Sequence, residues 1–268
     1  MDDKPGQNEG SLNPEIELEN LEGHRAKVFL QGRRRGGLPQ ITVLLVEDHT
    51  IMLDGLRALL KSDQQILIVG EARHGRQALE MVRSSKPDVV LMDIAMPRLN
   101  GLEATRQILK ESPQTKVIIL SSYCEDRYVQ QALDAGAAGY LDKGTAAEEL
   151  LAVLRAAKTR TGLFSQAVAR ILQSNKQKGF LPKGNSGKRG ATLTPRELEV
   201  LQLIAEGYAN KQTAAELSIS IKTVEKHRQS IMDKLSIHQT AGLTRYAISA
   251  GIVENRDASM PLSYRKEA

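Results

Sequence analysis

The chain has 268 residues, a net charge of +5, 3% aromatic residues with no Trp, and one cysteine, Cys124. That length predicts two modest domains, a lone cysteine excludes an intrachain disulfide, and no apolar run nears the roughly 20 residues a membrane helix needs. The opening MDDKPGQNEGSLNPE lacks the apolar centre of an export signal, so a cytoplasmic protein without membrane contact is expected.

Residues 1–39 are rich in Glu, Asn, Gly and Pro, keep no period and run into QGRRRGGLPQ, a composition that predicts a disordered arm. Within it Ala26–Leu30 (AKVFL) either orders locally or reflects a start placed upstream of the folded protein. From Ile41 short apolar runs alternate with amphipathic stretches. ITVLLV (41–46), ILIVGEA (66–72), DVVLMD (88–93), KVIILSS (116–122) and GYLD (139–142) read as strands, and the stretches near 53–61, 75–84, 101–111, 126–135 and 145–158 as helices. Continuous Val, Ile and Leu runs suit strands buried on both faces, and helical crossovers between them make the sheet parallel. Residues 40–158 are therefore expected to form a flavodoxin-like, doubly wound (βα)5 domain of the α/β class.

Residues 159–190 form a linker that carries seven basic and no acidic residues, with a short helix at Ser165–Gln173 capped by Ser165. The surplus charge either draws a phosphate backbone or holds a solvated tether extended. Residues 191–254 open on LTPREL, where Thr194 as N-cap, Pro195 at the first helical position and Glu197 compose a capping box. Helices near 195–206, 211–217, 221–235 and 240–250, with Asn210 and Ser220 as N-caps, make this a four-helix, all-α domain. Residues 255–268 are a tail.

In a doubly wound sheet the chemistry lies at the carboxyl ends of the strands. There the first strand ends in Glu47-Asp48, the third in Asp93 and the fourth in Ser121, and the fifth leads to Lys143. Three convergent carboxylates repel, and a hard divalent cation with oxygen ligands is the ordinary remedy, which points to Mg²⁺. A carboxylate beside Mg²⁺ and a lysine acts as a nucleophile toward a phosphoryl group, so Asp93 is the candidate nucleophile.

The set ED (47–48), DIAMP (93–97), LS (120–121) and GYLDKG (139–144) resembles the two-component receiver domain over about residues 41–158. The resemblance implies Asp93 as phosphoacceptor, Glu47, Asp48, Asp93 and the backbone carbonyl of Ala95 around the metal, and Lys143 on a phosphate oxygen. It implies Ser121 as the hydroxyl that moves to the phosphoryl group and Tyr140 as the aromatic switch that turns inward after it. Neither Ala95 nor Tyr123, each two residues past a site residue, orients an attacking water. A phosphoryl group on Asp93 is thus expected to hydrolyse slowly, with Tyr123 partly shielding it. A half-life unchanged in a Tyr123→Ala, Ala95→Asn variant would remove that expectation.

The helices at 211–217 and 221–235, joined by SIS (218–220), have helix-turn-helix spacing. On the second, Val224, Ile231 and Leu235 form a core stripe, leaving Lys222, Thr223, Glu225, Lys226, His227, Arg228 and Gln229 to meet base edges and phosphates. LTPREL with TVEKHR and MDKL closely resembles the LuxR-type helix-turn-helix of the NarL/FixJ regulators over about residues 192–252. That likeness implies the 221–235 helix as recognition helix, Lys211 and Thr223 near phosphates, and the 240–250 helix for dimer contact. Glu225, an acid where many relatives have a base, either accepts from a cytosine amino group or orients Lys226 or Arg228.

The whole reads as a response regulator and transcription factor, not an enzyme. A sensor histidine kinase donates the phosphoryl group, a homodimer forms on activation, a two-fold site on double-stranded DNA is bound, and RNA polymerase is a further partner. Two rivals remain. A hydrolase would need a second acid or base where Ala95 stands, and a phosphorylation-independent adaptor would use the first domain only to dimerise.

Overall fold

The computed structural model describes residues 15–19, 25–29, 40–123, 125–157, 163–165, 168–169 and 193–253. Cys124, most of the arm, most of the basic linker and the tail lie outside the described residues. β3 (Ile41–Val46), β4 (Ile66–Ala72), β5 (Val89–Met92), β6 (Lys116–Ser121) and β7 (Gly139–Asp142) are parallel neighbours in the order β4-β3-β5-β6-β7. Order reverses at β3, which places the switch-point crevice between β3 and β5, where Glu47, Asp48 and Asp93 emerge.

Alternate residues of each strand enter opposite cores, as an unbroken apolar strand requires. Leu44, Val46, Val90, Met92 and Ile119 pack with helices α2 (Gly75–Ser85), α3 (Gly101–Glu111) and α4 (Asp126–Asp134). Val43, Leu45, Val89, Leu91 and Ile118 pack with α1 (Thr50–Lys61) and α5 (Ala147–Ala156). The (βα)5 expectation holds, with helix ends shifted by a few residues.

Two stretches depart from it. The arm is not wholly irregular: β1 (Glu15–Glu19) and β2 (Arg25–Phe29) form an antiparallel hairpin, and β2 pairs with β4 through Lys27 and Val28. The register sets Glu17 opposite Lys27 and Glu19 opposite Arg25, and pairing covers an otherwise open sheet edge. The linker likewise begins inside the first domain, because β8 (Leu163–Phe164) runs parallel to β7 and Val168 is buried in the core. Ser165 Oγ accepts from Val168 N at 3.5 Å, as a cap would, and residues 170–173 of the expected helix lie outside the described residues.

Asn100 caps α3 through its side-chain oxygen, which accepts from Glu103 N at 2.9 Å. The next residue has no room for a side chain, since a Cβ on Gly101 would stand 1.9 Å from the carbonyl oxygen of Asp93. Gly101→Ala is expected to cost about 3 kcal/mol by forcing backbone apart, read as a lower urea midpoint. An unchanged midpoint would mean that the loop after β5 gives way freely.

The second domain is α6 (Pro195–Ala205), α7 (Asn210–Glu216), α8 (Ile221–Leu235) and α9 (Thr240–Ser249) around a core that includes Val200, Leu203, Val224, Ile231 and Leu243. The Thr194–Glu197 capping box is present, and Glu197 also accepts from Ser230 and Lys234, fastening the start of α6 to α8. Burial by itself would raise the Glu197 carboxyl, but Lys234, Thr194 and Ser230 outweigh it and hold the group at about 2. Ser220 caps α8 as expected. Asn210 does not cap α7: it is the first helical residue, Ala209 occupies the cap, and Gln212 Oε1 accepts from Ala209 N at 2.8 Å. Asn210 Oδ1 instead accepts from Arg228.

Among the described residues, no helix is long and apolar enough to cross a membrane.

Candidate functional site

The acidic residues at the ends of β3 and β5 meet at one rim. Glu47 and Asp93 are buried and Asp48 is mostly so. Lys143, just past β7, reaches between them, its Nζ 2.8 Å from Glu47 Oε2 and 3.1 Å from Asp93 Oδ2. The other Asp93 oxygen, Oδ1, accepts from Ile94 N at 2.8 Å, which fixes the carboxylate in plane. Ser121 is wholly buried at the end of β6, and its hydroxyl accepts from Tyr123 N at 3.2 Å. Lys143 N donates to the Ser121 carbonyl, so two strand ends are tied together beneath the ammonium.

The Tyr140 ring lies inside, fully buried, with the hydroxyl donating to the Tyr123 carbonyl. The ring of Tyr123 lies on Tyr128, with centroids 5.0 Å apart. Ala95 follows Asp93 in the loop and lines a cavity of about 360 Å³ between the domains.

Burial, then the Glu47 charge, pushes the Asp93 carboxyl up to about 6; Lys143 opposes this and Asp48 adds to it. Burial would lower the Lys143 ammonium, but Asp93 and Glu47 hold it above its ordinary value. An acid with a raised folded value stabilises the fold while protonated. That stability is complete below about 3.8 and is lost as pH rises through about 6. In metal-free protein, the melting temperature of Asp93→Asn minus that of wild type should therefore grow between about pH 4 and about pH 7. A constant difference would show that ionised Asp93 carries no such strain.

One neighbour was not foreseen from sequence. His49 Nδ1 lies 3.0 Å from Glu47 Oε1 and 3.1 Å from Asp48 Oδ1, and ligand atoms of Glu47, Asp48, His49 and Asp93 lie within 4.8 Å of one another. Its adjacency to the acidic pair in EDH was the available signal. Arg73, at the end of β4, donates to the Asp48 carbonyl at 3.1 Å and to Thr50 at 3.0 Å, bracing the same loop.

In the second domain, Lys211 on α7 and Lys222, Glu225, Lys226 and Gln229 on α8 are exposed, while Thr223, His227 and Arg228 are half-buried. Val224 and Ile231 are buried and Leu235 packs against the same core, so the expected stripe sets the orientation of α8. Arg228 is drawn aside: it donates to Asn210 at 3.1 Å and to Thr240 at 3.2 Å, which joins α8 to α7 and α9. Gln229 donates to Asp233 one turn on.

The domains are docked, and sequence gave no sign of how. Glu199 of α6 accepts from Arg76 and Gln107, and burial, which would raise its carboxyl, is overcome by Arg76, Gln107 and Arg196. Gln202 of α6 and Glu206, the residue that ends it, bond the loop that follows β5.

The family described as response regulator receiver domain matches residues 43–155, and the family described as bacterial regulatory proteins, luxR family, matches residues 191–247. Over 80% of this chain and 96% of its own length, the transcriptional regulatory protein MctR of Rhizobium johnstonii is 38% identical. The response regulator protein VraR of Staphylococcus saprophyticus is 34% identical over 80% of this chain and 99% of its own. Among solved structures, the RcsB response regulator of Salmonella typhimurium is 26% identical over 79% of this chain and 100% of that one, with a TM-score of 0.49.

Proposed function

The chain belongs to the response regulators that carry a LuxR-type DNA-binding domain, and from that premise we propose a two-component transcription factor in which phosphorylation of Asp93 by a sensor histidine kinase controls dimerisation and sequence-specific binding to double-stranded DNA. The observation that carries this reading is Lys143 reaching both Glu47 and Asp93 at the switch point of the sheet. The receiver is assigned to residues 40–158, extended by β8 and Val168, and the DNA-binding domain to residues 191–254.

The donor set suits a hard divalent cation. Buried oxygens of Glu47, Asp48 and Asp93 converge, and Lys143 alone leaves Asp93 with a raised affinity for a proton. Mg²⁺ is the ion we assign, with Glu47, Asp48, Asp93 and the Ala95 carbonyl around it; when bound it neutralises oxygens of the transferring group. The rest falls to this chain. An Asp93 oxygen attacks phosphorus, the bond from phosphorus to the donor nitrogen breaks, and the nitrogen keeps the electron pair. Ile94 N holds the other Asp93 oxygen during the attack, and Lys143 stays protonated against a phosphoryl oxygen. The Ser121 hydroxyl then donates a hydrogen bond to a phosphoryl oxygen. The product is a changed conformation rather than a released molecule, and the family is one of transcriptional regulators rather than classical enzymes.

On the DNA side, the exposed Lys211, Lys222, Lys226 and Gln229, with Thr223, His227 and Arg228 beside them, are the contacts we assign to α8 and its approach. Glu225 is exposed and stands among them. A single helix-turn-helix covers a half-site, so a dimer on a two-fold site is expected, in the cytoplasm, with RNA polymerase as a further partner.

Light scattering with and without Mg²⁺ plus beryllofluoride tests the reading. Wild type should shift toward a dimer and Asp93→Ala should not; a wild type that stays monomeric would remove dimerisation from the scheme.

A further inference from the structure

Two routes lead from Asp93 into the second domain. The first is its own loop. Between β5 and α3 the carbonyls of Ile94, Pro97 and Leu99 are bonded within the first domain, by Gly101 N, Leu99 N and Gly75 N. Three other backbone groups of this loop are bonded across the boundary by two side chains of the second domain. Gln202 Nε2 donates to the Met96 carbonyl at 2.9 Å, Asn100 N donates to Gln202 Oε1 at 2.8 Å, and Arg98 N donates to the Glu206 carboxylate at 3.1 Å. Gln202 is almost wholly buried there and itself donates to Glu206 at 2.7 Å. Arg98 has φ +67°, a left-handed backbone that a non-glycine residue keeps only where its surroundings hold it.

The second route leaves through Ser121. Tyr123 is bonded at its N–H by Ser121 and at its carbonyl by Tyr140, and its ring lies on Tyr128 of α4. Tyr128 touches Gly251, where an added Cβ would stand 2.6 Å from the ring. Beside it, Arg127 donates to the Ser249 carbonyl and Gln131 to the Ala250 carbonyl, both at 3.3 Å. Meanwhile α8 takes no part. Its Lys222, Glu225, Lys226 and Gln229 stay exposed with the domains docked, and among the described residues no hydrogen bond joins it to the first domain.

We infer that the Gln202–Glu206 clasp on the 94–100 loop couples the state of Asp93 to the hold on the DNA-binding domain, without covering the reading helix. This rests on Asp93 being the phosphoacceptor. A phosphoryl group on Asp93 and the clasp make demands on one short loop, so each weakens the other. The coupling is reciprocal: whatever factor phosphorylation takes from docking, loss of docking returns to the affinity of the loop for a phosphoryl group. The clasp is directional as well, because it grips backbone atoms, and its strength follows loop shape rather than side-chain identity.

The test uses the full chain and beryllofluoride with Mg²⁺, titrated by calorimetry into wild type, Gln202→Ala/Glu206→Ala, and Glu206→Ala alone in case the buried Gln202 is needed for folding. Arg83→Ala, which breaks an exposed pair with Glu111 away from the clasp, is the control. The double variant should bind about tenfold tighter, within the range usual for coupled sites, the single variant less so, and the control like wild type. Solution scattering should show the double variant expanded before any mimic is added. Equal affinity in wild type and both folded clasp variants overturns the clasp while leaving Asp93 as acceptor. No binding by any of them overturns the phosphoacceptor reading and the clasp with it. Amine labelling of Lys222 and Lys226 should be the same with and without the mimic; labelling that rises on activation overturns the uncovered helix.

Discussion

Asp93→Ala takes up no phosphoryl group from a small phosphodonor in the presence of Mg²⁺, where the wild type takes up a single one per chain, read by intact mass. The reason is specific to this position. Glu47 is equally buried and closer to Lys143, but its Oε1 is engaged by His49 through both ring and backbone nitrogen, and its Oε2 faces the ammonium. Asp93 has one oxygen anchored by Ile94 N and the other beside Lys143, an orientation that presents a carboxylate for attack while its charge is balanced. Removing a nucleophile removes the reaction rather than slowing it by a factor. The variant remains folded and, without metal, is more stable than wild type above about pH 6, because an ionised carboxylate has been taken from beside Glu47. Loss of uptake together with loss of fold would instead mean that Asp93 is structural. Uptake that persists in Asp93→Ala would move the acceptor to Glu47 or Asp48.

Lys222→Ala/Lys226→Ala weakens binding to an operator duplex by roughly 10- to 100-fold at moderate salt and lowers the slope of log affinity against log salt by about 2 per bound chain. Residues 191–254 balance seven basic against seven acidic groups, so bulk attraction to DNA is absent and the local field of α8 has to supply it. Arg228 contributes less to that field than its place in the motif suggests, since its guanidinium is tied to Asn210 and Thr240. The two lysines are exposed on a helix whose opposite side is anchored by Val224 and Ile231, and their loss leaves the domain folded. An unchanged salt slope would transfer phosphate contact to other basic groups, the seven of residues 159–190 first among them.

Much of the molecule was legible as sequence. The five apolar runs located β3 to β7 because a strand buried on both faces has no choice but to be apolar throughout, and the sites followed because a parallel sheet delivers its strand ends to one rim. LTPREL announced α6 because a capping box is made of residues three apart, and Ser220 announced α8 for the same reason. What was missed lay beyond local periodicity. The hairpin of β1 and β2 was signalled only by AKVFL (26–30) as one of two readings, because it sits in a charged, Gly- and Pro-bearing arm where β1 pairs with β2 and β2 with the edge of β4. The two residues of β8 are too few to carry a period. Asn210 was given the cap of α7 that Ala209 holds, because its oxygen was wanted by Arg228 eighteen residues later.

Sequence by itself determined the two domain classes, the strand-end carboxylates with their lysine, and the amphipathic reading helix, since each is written in residues near one another or in a strand order that few topologies satisfy. Only the tertiary structure decided that Tyr140 is buried with its hydroxyl on the Tyr123 carbonyl, that His49 leans on the acidic pair, and that Gln202 and Glu206 grip the loop after Asp93 while α8 stays open. The Gln202 and Glu206 contacts join residues roughly a hundred positions apart through backbone atoms that every residue possesses, so no pattern of side-chain types along the chain could announce them.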